Sequence, residues 1–136
     1  MLNKSTIYIL KSLAHIAALP GEGIKGAREI ANDLSIPANY LGKMLQILAK
    51  KGFLYSQKGL GGGFGLARPA EEITMLEIIE AVGEEEFLSG CFWGKELMCT
   101  DEAGCVLHSR WKCIVQETRN ILETTTIRDL TTGILP

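Results

Sequence analysis

Three cysteines and a histidine crowd one stretch of this chain: Cys91, Cys99 and Cys105, then His108. Seven residues separate the first pair, five the second, and two lie between Cys105 and His108. Thiolate and imidazole are metal-ligating groups, and clustered cysteines in a reducing compartment are more often metal ligands or redox centres than disulfides. Structural zinc sites usually take closely spaced cysteine pairs, and no C-x-x-C occurs here. Wide spacing on a loop suits an iron–sulfur cluster, in which an imidazole replacing one thiolate removes negative charge and raises the reduction potential. The plain alternative, three unremarkable loop cysteines and a surface histidine, fits the spacing almost as well. Cys113 lies five positions beyond His108, about 140° around a helix, and is expected to be a buried apolar residue. His15 stands alone and is assigned no role.

No other constellation points to catalysis. There is no Ser/His/Asp arrangement and no pair of acids with a base, so an enzyme is not expected. Glu84-Glu85-Glu86 reads as a solvated loop. Gly59-Leu60-Gly61-Gly62-Gly63 is not a nucleotide loop, because it joins two strand-like segments and lacks Gly-Lys-Ser/Thr.

The elements around these residues follow from periodicity and punctuation. A first helix is expected from Thr6 to Leu19, ended by Pro20-Gly21. A short helix, Ala27 to Leu34, a turn at Ser35-Ile36-Pro37 and a third helix to Lys51 form a helix-turn-helix layout. The outer face of the third helix carries Asn39, Tyr40, Lys43, Gln46 and Lys50, side chains able to reach base edges and phosphates. Strands at Phe53–Ser56 and Phe64–Ala67 make a wing. Its Ser56, Gln57, Lys58, Gly59, Gly61, Gly62 and Gly63 are candidate DNA contacts, the glycines allowing close backbone approach and Lys58 and Arg68 adding charge. A capping box at Thr74 opens a fourth helix to Val82. Leu107, Trp111, Ile114, Thr118 and Ile121 then recur in steps of four and three, the seam of a long helix hard to bury in one small subunit. That seam is the expected two-fold dimer interface, with Trp111 its anchor. Thr126 caps a short last helix through Leu130.

The fold class is therefore mainly α with a small β-hairpin. The expected units are a winged helix-turn-helix domain over 1–69, a connecting helix over 70–83, a cysteine-bearing loop over 84–106, and a dimerisation helix with a short final helix over 107–136. Charge divides along the same line. Residues 1–68 hold nine Lys/Arg against three acids, whereas residues 69–136 hold five against thirteen. A basic half suits a polyanion and an acidic half does not. With 136 residues, 46% hydrophobic, 22% charged and a net charge of −2, the chain is neither disordered nor low in complexity. No apolar run approaches a membrane span and the N-terminus lacks a signal-peptide layout, so a cytoplasmic protein without a membrane partner is expected.

The run EIANDLSIPANYLGKMLQILAKKGFLYSQKGLGGGFGLARP, then EITMLEIIEAV, the cysteine triplet and TTIRDL resemble the winged-helix regulators that include the iron–sulfur cluster regulator IscR and the nitric-oxide sensor NsrR. The resemblance extends from Leu2 to Leu130. It implies a homodimeric transcription regulator whose third helix enters the major groove, and whose wing enters the minor groove, of a palindromic double-stranded operator. It also implies a cluster sensing iron–sulfur status, oxygen or nitric oxide. Carried onto this chain, Cys91, Cys99 and Cys105 become ligands, and His108 matches the histidine three positions past the third cysteine, favouring 2Fe–2S over 4Fe–4S. The first cysteine gap is longer here than in many members. Thr6-Ile7-Tyr8 offers no carboxylate where NsrR-type proteins place an acidic ligand, Gly42 stands where IscR-type proteins carry an acid, and Lys58 stands where arginine is common. Clusterless members, controlled by a partner, a small ligand or thiol oxidation, are the alternative. An iron–sulfur electron carrier is a more distant one.

Overall fold

Asn3 starts the first helix, its side chain accepting the Thr6 N–H at 2.9 Å. In the computed structural model, which describes residues 2–21, 23–93 and 105–133, α1 runs Lys4–Ala17. This cap sets the start two residues earlier than periodicity suggests, and Pro20 draws the end back because it disfavours helical conformation just before it. The helix α2 spans Ala27–Leu34 and ends at Ser35, in left-handed conformation with φ 55°. The third, α3, spans Ala38–Lys50, with Pro37 at its N-cap. Ile9, Leu13, Ile30, Leu41, Leu45 and Leu48 are fully buried and share one core.

The hairpin pairs β1, Leu54–Gln57, with β2, Gly63–Leu66, in antiparallel register from Leu54↔Leu66 to Gln57↔Gly63. Lys25 adds a bridge the sequence did not disclose. Its backbone exchanges hydrogen bonds with Phe64 at 3.2 and 2.9 Å, so the wing is tied at its base to the start of α2. The Lys25 side chain pairs with Asp33, which also meets His15 Nε2 at 3.0 Å. Lys25's hydrogen bond, outweighing some burial, holds the Asp33 carboxyl below its ordinary range. His15 thus joins α1 to α2 rather than standing alone.

Beyond the wing, a 3-10 turn at Ala70–Glu72 leads into α4, Met75–Ala81. A second 3-10 turn at Glu85–Leu88 replaces the expected solvated loop, because Leu88 is buried against α4. The long helix α5 spans His108–Thr124, and α6 spans Ile127–Thr132. Capping boxes open both α4 and α6, and the two N-termini are zipped together: Met75 N–H donates to Thr125 O at 2.9 Å and Ile127 N–H to Ile73 O at 2.8 Å. Ile127, fully buried, thereby enters the same core as α1–α3, while Leu76, Ile79, Leu88 and Leu122 form a second, smaller cluster. Among the described residues no helix is long and apolar enough to cross a membrane.

Candidate functional site: a nucleic-acid face and a cysteine pocket

The inner face of α3 carries Leu41, Leu45 and Leu48, all fully buried, and this fixes which face looks outward. Asn39, Lys43, Gln46 and Lys50 stand exposed, at steps of four, three and four. Tyr40 is half-buried and sits edge-on to Tyr8 with ring centroids 6.4 Å apart, so it braces α3 against α1. Ile47, four positions past Lys43 and 41% exposed, belongs to the same outward face. The sequence reading passed over it because it sought polar side chains only. An exposed aliphatic group among cations can meet a thymine methyl.

The wing follows directly from α3. Ser56, Gln57, Lys58, Gly59 and Gly61 are exposed, and Gly62 and Gly63 half-buried. The tip is a tight turn in which Gly62 N–H donates to Gly59 O at 3.0 Å, with Gly59 at φ 94° and Gly61 at φ 74°. The inner glycines answer an internal need as well. A Cβ on Gly62 would lie 2.2 Å from Gln57 O, and one on Gly63 2.3 Å from the Lys25 carbonyl. Their bareness lets the hairpin close and lets Lys25 bridge it.

Arg68 does not offer the free charge expected of it. Its guanidinium donates to Glu77 at 3.0 Å and to Glu72 O at 2.7 Å, and lies over the Phe53 ring. It braces the wing base against α4. Burial works to raise the Glu77 carboxyl, but the Thr74 N–H and Arg68 together hold it below its ordinary value.

The second site lies where α5 begins. Cys91, Cys105 and His108 line one small pocket with Phe92, Trp93, Leu107 and Trp111. It adjoins an open hollow of about 240 Å³ that Cys91 and His108 also line, together with Leu88 and Lys112. The indole N–H of Trp111 donates to Gly90 O at 2.8 Å, and Phe92 packs edge-on to both Trp93 and Trp111. Cys91 and Cys105 are free thiols, both half-buried. Hydrogen bonding from the Leu107 backbone, then from Trp93, holds the Cys105 thiol below its ordinary pKa against the opposing effect of burial. Cys99 lies outside the described residues. Among the described residues no three His, Cys, Asp or Glu side chains converge tightly enough to hold a metal ion by themselves. Two thiols and an imidazole, groups able to ligate iron, nevertheless line one pocket with aromatic walls.

Cys113 is exposed, not buried as expected. The reason is that α5 turns a single flank to the second cluster, burying Leu122, and Cys113 lies on another side. The seam itself divides. Leu107, Trp111 and Thr118 are half-buried, Trp111 held inside its own chain by Gly90 and Phe92, whereas Ile114 and Ile121 are 56% and 54% exposed.

Comparison with known proteins places this arrangement. The family model of Rrf2, iron-dependent transcriptional regulators, matches residues 2–133. The chain belongs to the Rrf2 family. A helix-turn-helix-type transcriptional regulator of Aquifex aeolicus is 34% identical over 125 residues, covering 90% of this chain and 85% of that protein. The regulator NsrR of Shouchella clausii is 29% identical, covering 95% and 87%. Among solved structures, CymR, the global cysteine regulator of B. subtilis, superposes with a TM-score of 0.81 at 21% identity, covering 97% and 96% of the two chains. The T. potens IscR superposes at 0.75 and 22% identity, covering 97% and 86%. These two likenesses establish the winged-helix fold. The chain is a DNA-binding transcriptional regulator, as its family is, and not an enzyme.

Proposed function

We propose that this Rrf2-family regulator is a cytoplasmic homodimer that reads a palindromic operator and senses iron–sulfur, redox or nitric-oxide status through a cluster on Cys91, Cys99, Cys105 and His108, 2Fe–2S rather than 4Fe–4S. The observation that carries the sensing half is the pocket at the start of α5, which gathers Cys91, Cys105 and His108 behind an aromatic wall. The preference for 2Fe–2S rests on His108 lying among the thiols and on the lack of a carboxylate at Thr6-Ile7-Tyr8. When bound, a cluster supplies an iron centre whose redox state and integrity respond to oxidants and nitric oxide.

The chain's own residues define the rest of the reading. Residues 1–69 read DNA: Asn39, Lys43, Gln46 and Lys50 present one polar face to the major groove, and Ser56, Gln57 and Lys58 lead to the wing tip. Residues 70–83 connect and 84–106 carry the thiols. Residues 107–136 form the dimer, supported by α5 burying only Leu122 while Ile114 and Ile121 stand exposed. His108 opens the first turn of α5 and Cys105 lies three residues before it, while the last turn of α5 runs into the zipped caps of α4 and α6. A change in how the pocket is held therefore shifts α5, and with it the spacing of the two α3 helices on DNA.

Anaerobic purification tests the cofactor. The expected result is a coloured protein with visible absorption and with iron and sulfide on analysis. A colourless protein that resists reconstitution removes the cluster and leaves the clusterless reading. Gel shifts over a salt series test the DNA face. Lys43→Ala and Lys58→Ala are each expected to weaken binding across sequences and to lower the salt slope by about one, and unchanged affinity in both would place the contact surface elsewhere.

A further inference from the structure

We propose that Leu60, at the tip of the wing, is an apolar wedge that enters the minor groove and selects a deformable base step. The proposal rests on the DNA-reading role given above and names a residue that role did not use.

Leu60 is 107% exposed, beyond every other large apolar side chain among the described residues. It follows Gly59 and precedes Gly61 in the tip turn closed by Gly62 N–H to Gly59 O. Gly61 takes the left-handed φ that such a turn needs at its third position, so Leu60 occupies the outermost corner. A Cβ on Gly59 or Gly61 would meet nothing within 4 Å, so the isobutyl group projects from a tip stripped of other side chains. The tip is narrow, and it is also braced: the tight fits at Gly62 and Gly63 lock the hairpin to Gln57 and to the Lys25 bridge. A wedge needs such a backing, because unstacking a base step pushes back on it.

The surroundings choose the occupant. Leu60 is a single apolar group, and the chain leading to it carries exposed Ser56, Gln57 and Lys58. A protein partner of ordinary affinity buries a contiguous patch of hundreds of Å², which one side chain on a polar hairpin does not provide. A minor groove flanked by phosphates suits both parts, with Lys58 placed for a phosphate and an aliphatic group for the gap between bases. Leucine is among the side chains inserted in this way, and pyrimidine–purine steps yield most readily to it.

The test uses the full chain, purified anaerobically, and a duplex that it selects from a random-sequence pool. 2-Aminopurine placed at each step facing the wing reports unstacking. The expected result is a fluorescence rise at one pyrimidine–purine step with the wild type. Leu60→Ala is expected to abolish that rise and to weaken binding about tenfold, leaving the salt slope unchanged because no phosphate contact is lost. Leu60→Met retains most of both signals. Lys58→Ala does the reverse of Leu60→Ala, lowering the salt slope and keeping the rise. Replacing the step by a stiff A-tract step is expected to weaken the wild type and not Leu60→Ala. If Leu60→Ala binds with wild-type affinity and step preference, the wedge is overturned while DNA reading stands. If the wild type selects no duplex at all, the DNA-reading role falls, and the wedge with it.

Discussion

The helices α3 and α5 are of similar length, 13 and 17 residues, yet they complete themselves differently. In α3 three leucines are fully buried and the opposite face is polar and basic, so a single chain finishes its core and leaves a face free for a ligand. In α5 only Leu122 is buried, and Ile114 and Ile121 face outward. A helix finished within its own chain can present chemistry, whereas a helix left half-finished calls for a second surface. The cysteine pocket lies at the start of the unfinished helix and the exposed polar face on the finished one.

The largest effect that sharpens this contrast is on folding. Leu45→Ala, in the finished helix, is expected to cost about 2–5 kcal/mol through lost burial and a cavity, read as a lower urea midpoint. Ile121→Asp, in the unfinished one, is expected to leave the urea midpoint of the protomer nearly intact while raising the dimer dissociation constant by about tenfold or more, read by sedimentation over a concentration series. A monomer destabilised as severely as by Leu45→Ala would erase the distinction.

A smaller effect concerns the zipped caps that join the two regions. Asp129 is held below its ordinary value first by the Thr126 N–H and then by the Thr126 hydroxyl, and Glu77 is likewise lowered. A depressed carboxylate contributes stability that is complete above its unfolded pKa and is lost as pH falls through the folded one. The unfolding midpoint should therefore hold from neutral pH down to the ordinary carboxylate range and fall below it, and Asp129→Asn should flatten that acid decline more than Thr126→Ala, which keeps the backbone N–H. The smallest effect is Gly42→Ala. A Cβ there meets nothing within 4 Å, so relieving a mid-helix glycine should stabilise by about 0.5–1 kcal/mol, seen as a rise in the thermal midpoint.

Much of the fold was legible. The limits of α2, the turn at Ser35 and the capping boxes at Thr74 and Thr126 follow from side chains within four residues of one another, and so does the polar face of α3. The same reasoning placed Cys91, Cys105 and His108 in one neighbourhood, because only a turn separates Cys105 from α5. It misplaced Cys113 and overlooked Ile47 and the bridge at Lys25. Periodicity tells which residues share a face of a helix but not which face meets a neighbour, and a single bridging residue has no period at all.

Sequence alone determined the order of elements, the outward chemistry of α3 and the hairpin with its glycine tip, since caps, breakers and repeats act over a few residues. Tertiary structure decided what those residues do beyond their own segments. It turned Arg68 inward to Glu77, gave Gly62 and Gly63 an internal role, set Trp111 against Gly90, and left Ile114 and Ile121 uncovered. Each of these depends on two parts of the chain meeting in space, and the energy of such a meeting is written in neither part by itself.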